Sequence, residues 1–365
     1  MKRRRVLFAV SSLAPGGAER TVVELSAAFS QEGHHVGVLT LSGTESDHYV
    51  LHPSVERLAE NIQWPSANPW QSVVGNLSRQ RIIRNSVRRF APDVVLSFGD
   101  QTNVRLLAAS LGTGIPVVVS ERTDPRQHRI GAAWNNLRRW LYPRAAAVVV
   151  QTRSVAEWAR GWIAEERLVV IPNHVRALQP ATLGTREKAV LAVGRLDRFK
   201  GFDLLLRAFA SSRLPVAGYR LILLGEGPER SNLEALAMRL GVFERLEMPG
   251  VVAEPEAWMA RCEIFVLSSR YEGFPNVLLE AMAMGCAVVA TDCPSGPAEI
   301  IEPGKNGILV PVDDADSLRN AMERLAENEK LREQMGNAAI DVRKRFSRIR
   351  VIQQWFEVIK KIEEQ

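Results

Sequence analysis

Only three cysteines, Cys262, Cys286 and Cys293, occur in 365 residues, each in or beside a strand-like run and at spacings that suit no metal site. That excludes a disulfide scaffold and points to core thiols in a reducing compartment. No run approaches the ~18 apolar residues needed to cross a bilayer. Met1-Lys2-Arg3-Arg4-Arg5 passes straight into Val6-Leu7-Phe8-Ala9-Val10, too short for a secretory apolar region and without a cleavage site. The expectation is therefore a cytoplasmic protein. G-x-G-x-x-G is missing: the first turn reads Pro15-Gly16-Gly17, which argues against a nicotinamide dehydrogenase. There is no low-complexity segment, no short-period repeat and no recognisable nucleic-acid module, so nucleic acid is not an expected partner. The acid-x-acid pair Asp314-Ala315-Asp316 lies where Asp caps a helix, and no metal or other cofactor is expected.

What is present is an ordinary globular composition, 46% hydrophobic and 24% charged, in a chain long enough for two domains. The charge is uneven. Residues 1–172 hold 21 Lys and Arg against 14 Asp and Glu, whereas the remainder holds 26 against 27. Six of the eight tryptophans also fall in the first half. A basic, Trp-containing half suits an anionic surface or acceptor, or is simply an Arg-rich exterior.

Strand and helix patterns alternate twice. In the first half, the strand Arg5–Val10, a helix from Ala18 to Gln31 and a strand from Val36 to Leu41 make a βαβ unit, with later strands at Val94–Phe98, Val117–Ser120 and Ala147–Gln151. Residues 173–187 have no periodicity and read as a linker. The second alternation starts with the strand Ala189–Val193 and ends in charged helices, one expected over Lys330–Phe346. The reading is an α/β protein of two doubly wound domains, 1–172 and 188–345, with a cleft between them, and a closing helical segment 346–365 that returns toward the first domain.

The chemistry concentrates after the apolar strand Ile264–Leu267. Glu272 sits at its carboxyl end, Gly273 and Pro275 make a turn, and a short apolar helix runs from about Asn276 to Met284 with Glu280 in its early turns. The free amides of a helix start form a seat for phosphate. Carboxylates next to such a seat suit sugar hydroxyls, provided that cations stand near. Arg195 and Lys200, in Gly194-Arg195-Leu196-Asp197-Arg198-Phe199-Lys200-Gly201 after the strand Ala189–Val193, are placed to clamp a diphosphate. Gly225-Glu226-Gly227-Pro228 is a tight turn that would let backbone approach a flat base.

The order Gly194-Arg195…Lys200-Gly201, Gly225-Glu226-Gly227, Glu272-Gly273-Phe274-Pro275…Glu280-Ala281-Met282-Ala283…Gly285 resembles the family 4 retaining glycosyltransferases of GT-B fold, and the likeness covers nearly the whole chain. The resemblance implies that Arg195 and Lys200 hold a nucleotide's diphosphate with amides of Gly273, Phe274, Pro275, Asn276 and Val277 nearby. It implies that Glu280 binds the ribose, that Glu272 binds the transferred sugar, and that Gly16 and Gly17 admit the other domain's backbone to the diphosphate. One family position differs: where many relatives carry a His, this chain reads Ser120-Glu121-Arg122-Thr123-Asp124-Pro125. That pattern resembles the subgroup that extends lipid-diphosphate-linked sugars. Asp124 or Glu121 would orient or deprotonate an acceptor hydroxyl; alternatively Glu121 and Arg122 are a structural pair and Asp124 caps a turn.

On the acceptor side, Arg79–Phe90 places Ile82, Ile83, Val87 and Phe90 on one helical face and Arg81, Arg84 and Arg88 on another. This basic stripe would track a diphosphate or anionic head groups, or is an ordinary solvated face. Trp64 and Trp70 precede it and suit a membrane interface. The expected activity is transfer of a hexose or N-acetylhexosamine (GalNAc, GlcNAc or Gal) from a UDP-sugar to a polyprenyl-diphosphate-linked glycan at the inner membrane surface. A sugar-nucleotide epimerase and a catalytically idle nucleotide-sugar-binding protein are the alternatives.

Overall fold

The computed structural model describes residues 3–63, 69–176 and 186–364. Its contacts divide the chain into two units, one running to Pro172 and completed by residues from Ile349 onward, the other Asn173–Arg348.

The first unit is built on seven parallel strands: β1 (Arg5–Val10), β2 (His35–Thr40), β3 (Glu56–Ala59), β4 (Val94–Phe98), β5 (Val117–Ser120), β6 (Ala147–Val150) and β7 (Leu168–Val170), in the order β3-β2-β1-β4-β5-β6-β7. Strands covered on both faces must be apolar throughout, and Val6-Leu7-Phe8-Ala9-Val10 is buried at every position. One apolar layer joins Phe8, Phe29 and Phe98 to Trp355, Val358 and Ile359 of the helix Arg348–Glu363, so the end of the chain helps close the first unit's core. The other layer takes Ile83, Val87 and Phe90 from the helix Pro69–Phe90.

The second unit has six parallel strands: β8 (Glu187–Val193), β9 (Arg220–Leu224), β10 (Leu246–Gly250), β11 (Cys262–Leu267), β12 (Ala287–Thr291) and β13 (Ile308–Val310), ordered β10-β9-β8-β11-β12-β13. All three cysteines are buried in it as free thiols, and burial pushes the Cys262 and Cys293 thiols up to about 12.

Several expectations need correction. The strands β3 and β7 are extra; both are short, half-exposed edge strands that lack an apolar run. The helix ending at Phe90 starts at Pro69, ten residues before the expected Arg79. The helix expected over Lys330–Phe346 is two, Glu329–Ala339 and Val342–Arg345, because Val342 and Phe346 turn into the apolar layer beneath the helix Asn276–Ala283. The stretch 173–187 is not linker throughout. Asn173 donates its side-chain amide to Asn276 Oδ1 (2.7 Å), the Val175 N–H meets Phe346 O (2.8 Å), and Glu187 already begins β8. No helix of the described residues is long and apolar enough to cross a membrane.

Candidate functional site

In an open parallel sheet the ligand crevice opens beyond the carboxyl ends of the strands where the order reverses. In the second unit that reversal falls between β8 and β11. The segments leaving those strands are Gly194–Gly201 and Ser268–Pro275, the two that the sequence singles out.

They are tied together by main chain. The Arg270 N–H donates to Phe199 O (2.7 Å), and Ser268 Oγ donates to Lys200 O (2.9 Å). Gly201 has φ +63°, and a Cβ there would collide with the Ser268 carbonyl, so both the turn and the close approach require glycine. The consequence is a short contact across the crevice: Lys200 Nζ lies 2.6 Å from Glu272 Oε1, which also accepts from Ser269 Oγ at 2.6 Å. Both side chains are largely sheltered, with 23% and 10% of their surface exposed.

A second set of bonds supports this loop from β12. Thr291 Oγ1 donates to Ser269 O (2.5 Å) and Ser295 Oγ to Gly273 O (3.0 Å). Phe274 is buried edge-on against Phe346. Pro275 then starts the helix Asn276–Ala283 without a side-chain cap, and the Pro275 carbonyl takes the amides of Leu278 and Leu279. The amides of Asn276 and Val277 therefore precede the first intrahelical bonds and face outward from the helix start. Glu280 is buried at 8% exposure, one turn beyond Asn276 on the same helical face. The pieces for a diphosphate and for hydroxyls thus meet at the β8–β11 crevice: Lys200 from the segment after β8, and Glu272, the uncapped amides and Glu280 along the strand-turn-helix that follows β11.

Arg195 takes a different place. It is exposed, carries no ion pair or side-chain hydrogen bond among the described residues, and lines a groove with Arg198, Asp203 and Arg207. Arg270 in that groove is committed: it grips Asp203 (2.8 Å) and Asp313 (2.8 Å). Burial raises the Asp203 pKa, but the hydrogen bond and charge of Arg270 outweigh it and hold the carboxyl below its usual range. Gly225 and Gly227 are required by the packing of their turn. A Cβ at Gly225 would strike Gly194 O, and one at Gly227 the Leu196 main chain, so both positions require glycine to let this turn pack on the segment after β8.

In the first unit, Gly16 precedes and Gly17 opens the helix Gly17–Gln31. A Cβ at Gly16 would strike the Glu19 carboxylate, and Thr21 on that helix accepts from Arg122 Nη2 at 2.9 Å. The segment after β5 therefore reaches the segment after β1. Burial lowers the Arg122 pKa to about 10 against the opposing pull of Glu19.

Glu121 and Asp124 are both engaged by other side chains, and the partners of Glu121 are Arg138 and Tyr142, not the neighbouring Arg122. Glu121 is 1% exposed, accepts the Tyr142 hydroxyl and lies 3.3 Å from Nε of Arg138, itself 1% exposed. Burial raises the Glu121 pKa although Arg138 opposes it. Asp124 is also 1% exposed; Arg126 occupies both its oxygens (2.9 and 2.7 Å), and its carbonyl accepts the amides of Gln127 and His128. It is a turn residue whose carboxylate is already engaged. Arg81 and Arg88 are exposed and Arg84 half-exposed, and none of the three has an ion pair or side-chain hydrogen bond among the described residues. Trp64 and the side chain of Trp70 lie outside the described residues. Asp314 caps its helix as expected, accepting from Ser317 N at 2.9 Å.

Sequence reasoning missed Ser269, Thr291, Ser295 and Asn173. Single hydroxyl and amide residues at strand ends carry no spacing signal; only the adjacency of β11 and β12 shows their use.

Comparison with known proteins gives two adjoining family matches, "Glycosyltransferase Family 4" over residues 15–177 and "Glycosyl transferases group 1" over 177–342. An N-acetylgalactosamine-N,N'-diacetylbacillosaminyl-diphospho-undecaprenol 4-alpha-N-acetylgalactosaminyltransferase of Campylobacter jejuni is 29% identical, over 94% of this chain and 95% of that protein. Among solved structures, sucrose-phosphate synthase from Thermosynechococcus elongatus superposes with a TM-score of 0.84 at 18% identity, over 99% of this chain and 100% of that one. Anabaena HepE in complex with UDP gives 0.81 at 20% identity, over 98% and 100%.

Proposed function

Because this chain belongs to the family 4 glycosyltransferases and has the GT-B fold, we propose that it moves a hexose or N-acetylhexosamine from a UDP-linked donor to a glycan carried on a polyprenyl diphosphate. The observation that carries this reading is the Lys200–Glu272 contact beside an uncapped helix start, at the reversal of the second sheet. Lys200 and the exposed Arg195 supply positive charge for the donor's diphosphate, and the amides of Asn276 and Val277 supply hydrogen bonds to it. Glu272 accepts hydroxyls of the transferred sugar, and Glu280 accepts those of the ribose.

As the glycosidic bond breaks, negative charge grows on the departing diphosphate. Lysine, arginine and helix amides fixed in advance stabilise that charge without reorganising. Family membership favours retention at the anomeric carbon, with the departing phosphate oxygen taking the acceptor proton. That assignment needs no protein base, which suits the engaged carboxylates of Asp124 and Glu121. The acceptor class is supported by the printed activity of the Campylobacter jejuni relative. Arg81, Arg84 and Arg88, without ion pairs among the described residues, supply a surface for anionic lipid or for the acceptor's own diphosphate.

The test is a transfer assay with UDP-GalNAc, UDP-GlcNAc and UDP-Gal against a polyprenyl-diphosphate-linked glycan, read by mass spectrometry. A product heavier by one sugar on the lipid supports the reading. Conversion of the donor to a free epimer without any lipid acceptor overturns it in favour of an epimerase.

A further inference from the structure

The helix Ala132–Leu141 buries an arginine and exposes a leucine and a tryptophan. Trp134 and Leu141 join the apolar layer of the first sheet, and Arg138 between them is 1% exposed beside Glu121. Ala133, Leu137 and Trp140, at spacings of four and three, share another face. All three are exposed, Leu137 at 44% and Trp140 at 52%. Ala132 and Asn136 complete that face, which carries no charge until Arg139 at its edge. Among the described residues Trp140 is the only exposed tryptophan. A surface helix ordinarily turns its charge outward and its large apolar residues inward. The Glu121 carboxylate, 3.3 Å away, accounts for the buried Arg138. It does not account for the apolar residues outside.

The margins of this face are cationic. From Pro125 to Ala156 the chain has six arginines and no Asp or Glu. Arg129 precedes the helix, Arg139 stands at its edge and Arg144 follows it. All three are exposed, and none has an ion pair among the described residues. Arg144 donates to the Trp140 carbonyl and lies 4.3 Å from the centroid of its ring. Past the helix end the same arginine lines a cavity of about 270 Å³ with Leu141 and with Leu111, which is 38% exposed.

Leucine and tryptophan on one side of a helix, with arginines at its margins, suit a membrane interface. There the indole and the leucine sink below the lipid phosphates, and the arginines stay level with them. A second copy of this chain fits less well. A twofold contact would bring Arg129, Arg139 and Arg144 against their own counterparts, with no acid in the stretch to pair them. An anionic leaflet supplies the opposite charge. The basic helix Pro69–Phe90 and the helix Ala132–Leu141 both pack on the helix Asp100–Ser110, so their outer surfaces belong to one helical layer.

We propose that the outer face of the helix Ala132–Leu141 docks on an anionic lipid surface. Leu137 and Trp140 enter the interfacial region, and Arg129, Arg139 and Arg144 meet lipid phosphates. This surface is separate from the stripe of Arg81, Arg84 and Arg88, which has no apolar member. It does not depend on the acceptor assigned above: failure of the transfer assay leaves it standing, and failure of vesicle docking leaves the transfer reading standing.

The test uses the full-length protein at low salt, sedimented with vesicles of mixed phosphatidylglycerol and phosphatidylcholine or of phosphatidylcholine alone. The wild type should bind the anionic vesicles about tenfold or more tightly than the neutral ones. Leu137→Gln/Trp140→Gln keeps every arginine and removes only apolar surface that is already exposed. It should melt with the wild type and lose about tenfold of the affinity for anionic vesicles. A second readout reports position directly. The native thiols are buried, so a polarity-sensitive fluorophore attached to Leu137→Cys reads that site, and its emission should move to shorter wavelength when anionic vesicles are added. The same fluorophore on Val216→Cys, at a position 93% exposed in the second unit, should not respond. Equal vesicle affinity of wild type and double variant overturns the proposal. So does equal binding of neutral vesicles, or a fluorophore on Leu137→Cys that does not respond. A wild-type dimer that the double variant converts to monomer, with vesicle binding unchanged, would assign the face to a second copy and overturn it too.

Discussion

Lys200 Nζ and Glu272 Oε1 stand 2.6 Å apart although their residues are far separated along the chain, because β8 and β11 are neighbours in the second sheet. A half-sheltered ion pair of this kind has a coupling energy of about 1 kcal/mol or more. A double-mutant cycle on Lys200→Ala and Glu272→Ala, read by urea denaturation, should show that coupling. Additive effects would mean that the two side chains do not interact.

Gly201 should be the least replaceable residue of the cation loop. Gly201→Ala forces a side chain into a left-handed conformation and against the Ser268 carbonyl. The expected loss is about 2–4 kcal/mol of stability. Gly112→Ala has a similar backbone conformation (φ +69°) with open space around it, and should cost only the conformational part. Comparing the two by denaturant midpoint separates collision from strain.

Glu121 should matter for folding more than for turnover. Removing it by Glu121→Ala leaves Arg138 buried at 1% exposure without its closest carboxylate, which costs about 3–5 kcal/mol. The folded fraction of that variant should keep most of its activity per folded molecule. A thousandfold loss of turnover at unchanged stability would instead make Glu121 a catalytic residue.

The stripe Arg81, Arg84 and Arg88 gives a salt-dependent prediction. Each arginine near an anionic surface contributes about 1 kcal/mol, so the triple change to Gln should weaken sedimentation with phosphatidylglycerol vesicles about hundredfold at low ionic strength. The difference should shrink as salt is raised. Unchanged sedimentation at low salt would leave the stripe as a solvated helix face.

The two sheets were readable in the sequence because buried parallel strands are apolar at every position, as in Val6–Val10 and Ile264–Leu267. The edge strands β3 and β7 were not, because an edge has no second covering layer and so no continuous apolar run. The motif around Glu272 was legible as a strand-turn-helix with acids at fixed offsets. What the sequence could not show is which neighbours hold it. Ser268, Thr291 and Ser295 act through bonds that exist only once β8, β11 and β12 are side by side. Glu121 and Asp124 read equally as acceptor-orienting acids or as structural residues, because only type and position are visible in a sequence. The arginines that engage them, Arg138 and Arg126, declare themselves only in three dimensions.

The most direct measurement of the whole account is the affinity of UDP for the wild type and for Lys200→Ala, by calorimetry at fixed salt. One charge-assisted contact to phosphate contributes about 1.5–3 kcal/mol, so the variant should bind UDP at least tenfold more weakly while remaining folded. Equal affinity in a folded Lys200→Ala protein would place the nucleotide somewhere other than the β8–β11 crevice and contradict the assignment.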